Sequence, residues 1–389
     1  MPVKAERGRG FLRKLDRWIG VPLLFVLGLF HSKRAKPAQF QRIGVCIFAA
    51  IGDALLASCL IASIRKAYPG SKITIFATPA NVSTFDLIGS YDNLVLVPIT
   101  QPLAAIQQVR AHPVDLLIDT SQWPRIGAVV AALSGARWTI GFETEGQNRH
   151  FSYDATVKHS PKVHELENFR ALLRPLGIEA QAMPPIDLST LAGIDCLNIK
   201  QPYLVLHPWA SGNHFQLREW PISSWTALAL KLIQSGYGVV ITGGPGDKDR
   251  GNALFQEIDR GVRGVRGFEG NLSGALLNLA GQADLLKTAA YLNGAVAVVS
   301  VNTGTMHLAA LFNKPLVALH GPTNPDRWGP VYPGANNGQS VVVLGPGIQE
   351  GGAYLNLGFE YPQNPIYLMD QISVEAVVDA LRKFSINIV

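Results

Sequence analysis

The run SVNTGTMHLAALFNKPLVALHGPTNPDRWGP, residues 300–330, ends one apolar strand at Asn302-Thr303-Gly304, starts a helix, and ends a second apolar strand at Gly321-Pro322-Thr323. A helix that opens on such a turn offers backbone N–H groups, and the hydroxyls of Thr303 and Thr305 stand beside them. This arrangement suits a diphosphate. The same turn also reads as an ordinary capped helix, with Asn302 or Thr303 as the N-cap. An asparagine at the head of the turn does not repel phosphate and keeps one acceptor oxygen for a ligand hydroxyl. A second group is LHPWASGNHFQLREWP, residues 206–221, which carries His207, Ser211 and Arg218. Arg218 can meet phosphate oxygens with a fork of donors, or pair with Glu219 at the surface. His207 is either a ligand group or a structural histidine at a strand end, and Trp220 reads as packing. In TGGPGDKD, Thr242–Asp249, Gly243 and Gly244 permit either close approach of a ligand or a tight turn. A third group, AAIGDALLAS, sets Gly52-Asp53 between a strand and a helix. Asp53 there either serves as a base for an acceptor hydroxyl or caps the helix, where its charge complements the helix dipole.

Other chemistries lack their signatures. No G-x-G-x-x-G follows a strand and no G-x-x-x-x-G-K-[ST] occurs, so the dehydrogenase and P-loop readings lose their main support. There is no H-E-x-x-H, and Cys46, Cys59 and Cys196 form no C-x-x-C pair. Neither a metal site nor a disulfide framework is expected, and a reducing compartment fits.

The elements that must position these groups alternate. Apolar strands are expected at Arg42–Phe48, Lys72–Thr78, Asn93–Pro98, Asp115–Thr120 and Ala136–Phe142, with one helix over residues 52–67 and others between the later strands. A second series runs through Pro202–Pro208, Tyr237–Gly244, Ala295–Val301 and Pro315–Gly321, with helices near 224–234, 283–293 and 305–312. Apolar strands separated by helices imply parallel sheets covered on both faces. The fold class is therefore α/β, with two doubly wound domains facing a cleft at the carboxyl ends of their strands. A chain of 389 residues accommodates both. The expected division is a segment over 1–42, a first domain over 43–182, a linker over 183–201, a second domain over 202–370 and a terminal helix over 371–389, capped by Ser373.

The net charge of +6 is local. Residues 1–42 hold ten Lys/Arg against Glu6 and Asp16, a balance of +8, which leaves −2 for the rest. A near-neutral body argues against nucleic acid as a partner; a basic segment argues for an anionic membrane surface. Within it, WIGVPLLFVLGLF, Trp18 to Phe30, is uncharged but short of the roughly 20 residues that span a bilayer. It suits an interfacial or re-entrant segment, and deleting residues 1–40 should leave the fold intact; a helix docked on the body is the alternative, and a signal peptide lacks its A-x-A-like cleavage site.

Taken in order, these groups resemble the heptosyltransferase family, the GT-B glycosyltransferases of lipopolysaccharide core assembly. The resemblance rests on Gly52-Asp53, His207-Pro208 with Ala210-Ser211, Trp220-Pro221, Thr242-Gly243-Gly244-Pro245, Thr303-Gly304 with Met306-His307-Leu308-Ala309, and Gly321-Pro322-Thr323 through Trp328-Gly329-Pro330. It spans roughly residues 43–345 and includes His164–Gly177. It implies a GT-B fold of two Rossmann-like domains, with the nucleotide-sugar in the carboxyl-terminal one and the acceptor in the other. It implies inversion at the anomeric centre without a metal or cofactor, with Asp53 as base and Arg218 facing the diphosphate where relatives carry a lysine. The donor, ADP-heptose foremost, would meet His207, Ser211, Arg218, Thr242, Gly243, Gly244, Asn302, Thr303, Gly304, Thr305, Met306, His307, Gly321, Pro322 and Thr323. The acceptor would be a lipid-linked glycan, and the enzyme would sit in the cytoplasm, peripherally attached to the inner membrane. Asn302 stands where the family has an aspartate, and Trp209 where it has a glycine. The alternatives are an epimerase or hydrolase of nucleotide-sugars on the same fold, or a non-catalytic nucleotide-sugar-binding protein.

Overall fold

The computed structural model describes residues 10–180, 183–194, 196, 199, 201–212, 214–264, 274–333, 340–346, 355 and 367–389, with side chains from residue 16 onward. Lys4, Arg7 and Arg9 of the basic segment, and parts of the expected linker, lie outside the described residues. The chain divides into two compact units between Asp187 and Leu188, a boundary inside the segment 183–201.

The first unit contains β1 (Arg42–Ile47), β2 (Lys72–Ala77), β3 (Asn93–Leu96), β4 (Leu116–Asp119), β5 (Trp138–Glu143) and β6 (Ala155–Lys158). Its helices are α1 (Gly10–Leu29), α2 (Ile51–Ala57), α3 (Cys59–Ala67), α4 (Pro102–Arg110), α5 (Arg125–Leu133) and α6 (Glu165–Ala171). The second unit contains β7 (Tyr203–His207), β8 (Gly238–Ile241), β9 (Leu276–Asn278), β10 (Ala297–Val301), β11 (Leu316–Leu319) and β12 (Val341–Leu344). Its helices are α7 (Ile222–Gln234), α8 (Lys248–Gly264), α9 (Leu285–Gly294), α10 (Gly304–Leu311), α11 (Pro325–Trp328) and α12 (Val374–Arg382).

Each sheet is six-stranded and parallel throughout, in the orders β3-β2-β1-β4-β5-β6 and β12-β11-β10-β7-β8-β9. Counted from its own first strand, the second sheet repeats the order of the first. Residues Val45, Ile47, Ile73, Ile75, Leu204, Leu206, Val299 and Val301 are wholly buried, because helices cover both faces. The strand order reverses between β1 and β4 and again between β7 and β10, and such switch points open a crevice at the carboxyl ends.

Three expectations change. The helix expected over 52–67 is two, α2 and α3, joined at Ser58, whose hydroxyl donates to Leu55 O at 2.6 Å. The terminal helix over 371–389 is no separate piece: α12 packs on α7 and β11, with Ser373 Oγ capping Ala376 N. And the described part of residues 1–42 packs on the first unit, with α1 lying against α5. Arg34 forms an ion pair with the wholly buried carboxylate of Asp154 at 2.6 Å, and Phe40 stacks on Trp138. Strands β6, β9 and β12 and helix α8 escaped the sequence reading. The three strands are three or four residues long and lie at or next to sheet edges, too short for a period to show.

Candidate active site

In the second unit, four neighbouring strands deliver the sequence-predicted residues to one sheet edge. Ser300 pairs with His207 across β10 and β7, Leu206 with Ile241 across β7 and β8, and Val301 with Leu319 across β10 and β11. The residues that follow, Pro208, Thr242, Asn302 and His320, therefore start four adjacent turns.

Helix α10 opens without a side-chain cap: its N-cap, Thr303, is extended (φ −148°, ψ 177°) and makes no capping bond. In this unit α9 is capped by Asp284 on Lys287 N and α12 by Ser373, whereas α7 opens on Pro221, also without a side-chain cap. The capped-turn alternative for Asn302 and Thr303 is thereby set aside, and the first-turn amides of α10 remain available to an anion. The Thr303 hydroxyl is buried and makes no hydrogen bond. Asn302 donates from Nδ2 to Thr323 Oγ1 at 2.7 Å, joining the turns after β10 and β11 and leaving Oδ1 as its remaining acceptor. Met306 is wholly buried, so it offers a ligand its amide and not its side chain; His307 is buried beside it.

His207 is buried, its Nδ1 lies 2.9 Å from Thr242 Oγ1, and burial pushes its pKa down to about 4. It is a neutral, fixed group at neutral pH. Arg218 donates from Nη2 to Ser211 O, which folds the Ser211 loop against the guanidinium. Its expected alternative partner is taken: Glu219 pairs with Arg250 and accepts from Ala210 N at 3.0 Å. Two glycines serve protein packing. A Cβ on Gly321 would stand 2.9 Å from Leu217 O and 3.2 Å from Arg218 Cα, so the missing side chain lets the Arg218 segment approach. A Cβ on Gly243 would stand 2.8 Å from the Trp209 ring. Gly244 N donates to Asp247 Oδ2 at 2.9 Å, and Trp220 is core, its Nε1 donating to Ile372 O at 2.8 Å.

In the first unit, Gly52-Asp53 lies within the first turn of α2, after the carboxyl end of β1. The N-cap is Ala50, so Asp53 is not the cap; its carboxylate is half-buried at the positive end of the helix. Among the described residues no group of three His, Cys, Asp or Glu side chains is placed to hold a metal ion.

The model of glycosyltransferase family 9 (heptosyltransferase) matches residues 103–343, more than half of the chain. The chain belongs to that family. It is 25% identical over 298 residues to lipopolysaccharide heptosyltransferase 3 of Escherichia coli, covering 72% of this chain and 83% of the relative. Lipooligosaccharide heptosyltransferase 2 of Haemophilus influenzae is 29% identical over 171 residues, 43% of this chain and 44% of the relative. Among solved structures, E. coli ADP-heptose lps heptosyltransferase II superposes with a TM-score of 0.69 at 20% identity, covering 88% of this chain and 98% of the other. The glycosyl transferase family 9 protein of Veillonella parvula gives 0.70 at 19%, covering 90% and 99%. The family 9 match makes the chain a glycosyltransferase and does not favour the epimerase, hydrolase or non-catalytic readings.

Sequence reasoning missed two charged clusters of this family 9 enzyme. Arg250 bridges Glu219 and Asp247 and lies over the rings of Trp209 and Phe215, at 5.4 and 5.6 Å. That network holds together the turns that follow β7 and β8. In the first unit, Asp119 at the end of β4 accepts from Tyr153 Oη at 2.6 Å and from Arg149 Nη2 at 2.5 Å, all three buried. Arg149 also donates to Ser121 O, fixing the turn after β4. Charged residues scattered over 30 positions carry no local signature, so neither cluster was visible before folding.

Proposed function

We propose that the chain transfers heptose from ADP-heptose to the core sugar of a lipopolysaccharide or related lipid-linked glycan, with inversion at the anomeric carbon. The observation that carries this reading is the uncapped start of α10, bracketed by Asn302, Thr303 and Thr323. The amides of Gly304, Thr305 and Met306 would bind the diphosphate, and Arg218 would offset the charge that grows on the departing ADP. Solved structures of E. coli heptosyltransferase WaaC with ADP and with ADP-2-deoxy-2-fluoro heptose share the fold, with a TM-score of 0.63, and support ADP as the nucleotide. His207, Ser211, Thr242, Gly243, Gly244, His307, Gly321 and Pro322 shape the same strand ends or the helix behind them.

Asp53 removes the proton from the acceptor hydroxyl as that oxygen attacks the anomeric carbon; the C–O bond to ADP breaks on the opposite side. Proton removal by a placed carboxylate contributes on the order of 10²–10⁴ in rate. The enzyme works at the cytoplasmic side of the inner membrane, attached peripherally through the basic amino-terminal segment. The test is acceptor-dependent ADP release from a panel of nucleotide-sugars. Asp53→Ala should lower kcat by about 10²-fold or more with the affinity for ADP, read by calorimetry, unchanged. A parallel collapse of ADP affinity would make Asp53 a structural residue.

A further inference from the structure

Helix α1 has two unlike faces. Trp18, Pro22, Phe25 and Leu29 form one i, i+4, i+7, i+11 row, and Ile19, Leu23, Val26 and Phe30 the adjacent one. All eight are exposed, Trp18 by 78%, Leu29 by 68% and Phe30 by 87%, and no polar residue interrupts them. A contiguous apolar face of this kind marks an interaction surface.

The opposite row, Asp16, Gly20, Leu24 and Leu27, is turned inward, and Leu24 is wholly buried. Asp16 accepts from Arg125 N and Arg125 Nη1, both at 2.9 Å, so it supplies α5 with the cap that Pro124 cannot. Two glycines allow the approach: a Cβ on Gly20 would stand 3.0 Å from Arg125 Cβ, and one on Gly28 2.8 Å from Phe151 Cβ. Arg125 Nε then donates to Gln147 O at 2.9 Å, and Phe151 lies edge-on to Phe25. The first contact holds the loop between β5 and the short helical turn His150–Ser152, and the second holds that turn; with β6 they border a cavity of about 400 Å³ lined by Glu143, Glu145, Asn148, His150, Lys158 and His159.

We propose that α1 is a docked interfacial helix: its exposed face lies in an anionic lipid bilayer while its inner face stays latched to the first unit through Asp16 and Arg125. The proposal rests on the peripheral attachment stated above and adds the face and the latch. Charge complementarity selects the occupant. Residues 1–42 carry ten Lys/Arg against two acids, of which Asp16 is already bound, and the exposed Arg17 and Lys33 flank the apolar run in sequence. A second copy of this chain would bring the same positive excess to the contact. Among the described residues no helix is long and apolar enough to cross a membrane. An apolar helix face flanked by basic residues rests at the headgroup–acyl boundary.

The test is flotation of the full chain with vesicles of phosphatidylglycerol and phosphatidylcholine, against pure phosphatidylcholine, joined to amide hydrogen exchange. Val26→Glu with Leu29→Glu should cut binding to anionic vesicles about tenfold or more, with the melting temperature unchanged because both side chains face outward. Exchange at Arg125 N should stay slow on vesicles. Unchanged flotation of the double variant overturns the assigned face; if high salt still strips it, peripheral attachment stands and only the face is wrong. Fast exchange at Arg125 on binding overturns the latch. Dimerisation in solution that the double variant abolishes, with no vesicle binding by the parent chain, overturns lipid as the occupant.

Discussion

Burial holds the imidazole of His207 neutral down to about pH 4, against an ordinary value of 6.5. The unfolded chain therefore takes up a proton between those values that the folded chain refuses. The stability contributed is complete above about pH 6.5 and is lost as pH falls toward 4. His207→Gln should flatten that part of the unfolding free energy measured against pH, and leave ADP affinity level between pH 6.5 and 8. Asn302 carries a second residue-scale prediction. Its Nδ2 is committed to Thr323, so Asn302→Asp reverses that bond and puts a second acceptor oxygen beside the proposed sugar site. Turnover or the preference among ADP-sugars should change by several-fold, and calorimetry with free ADP should show a change of less than about 1 kcal/mol. A change confined to ADP affinity would move Asn302 into the phosphate site. The strand-to-helix junctions that carry Asp53 and the Asn302–Thr305 turn were legible in the sequence because such a junction is local. The pairing of Trp209 with Gly243 was not, since it joins two strand ends about 35 residues apart that only the sheet brings together.

The buried carboxylate at the end of β4 shows how one ion pair can set an element. Asp119 and Arg149 are both without exposure, and Tyr153 completes the cluster. Asp119→Ala strands a guanidinium in the core and should cost about 3–5 kcal/mol. Glu167→Ala removes the exposed partner of Arg170 and should cost less than about 1 kcal/mol. Denaturant midpoints of the two variants check the contrast; equal losses would mean that the β4 turn is held by something other than this pair. Strands with long apolar runs, such as β1, β2, β7 and β10, announced themselves, because burial on both faces demands continuous hydrophobicity. Helix α8 did not, since its start is hidden in the glycine-rich loop that precedes it and its outer face is strongly polar.

At the scale of the whole chain, the repeated sheet order was readable as two βα series, and the matching switch points explain why both sets of candidate residues follow strands there. The attachment of the amino-terminal segment was not readable, because its partners, Arg125 and Asp154, lie more than 100 residues away. Deleting residues 1–40 removes Arg34 from Asp154, exposes Trp138 and takes the cap from α5. The first unit should lose about 3 kcal/mol or more, seen as a lower melting temperature, while Arg34→Ala alone should reproduce part of the loss. A truncated chain that melts unchanged would show that the segment is only a tether.

The same separation has a consequence during synthesis. Asp16 precedes Arg125 by 109 residues, and at roughly 5–20 residues per second α1 leaves the ribosome on the order of 5–20 s before its latch exists. Throughout that interval Leu24 and Leu27 have no α5 to pack against, and both faces of the helix are bare. The lipid contact proposed for α1 would therefore precede completion of the first sheet, with the latch to Arg125 closing afterwards.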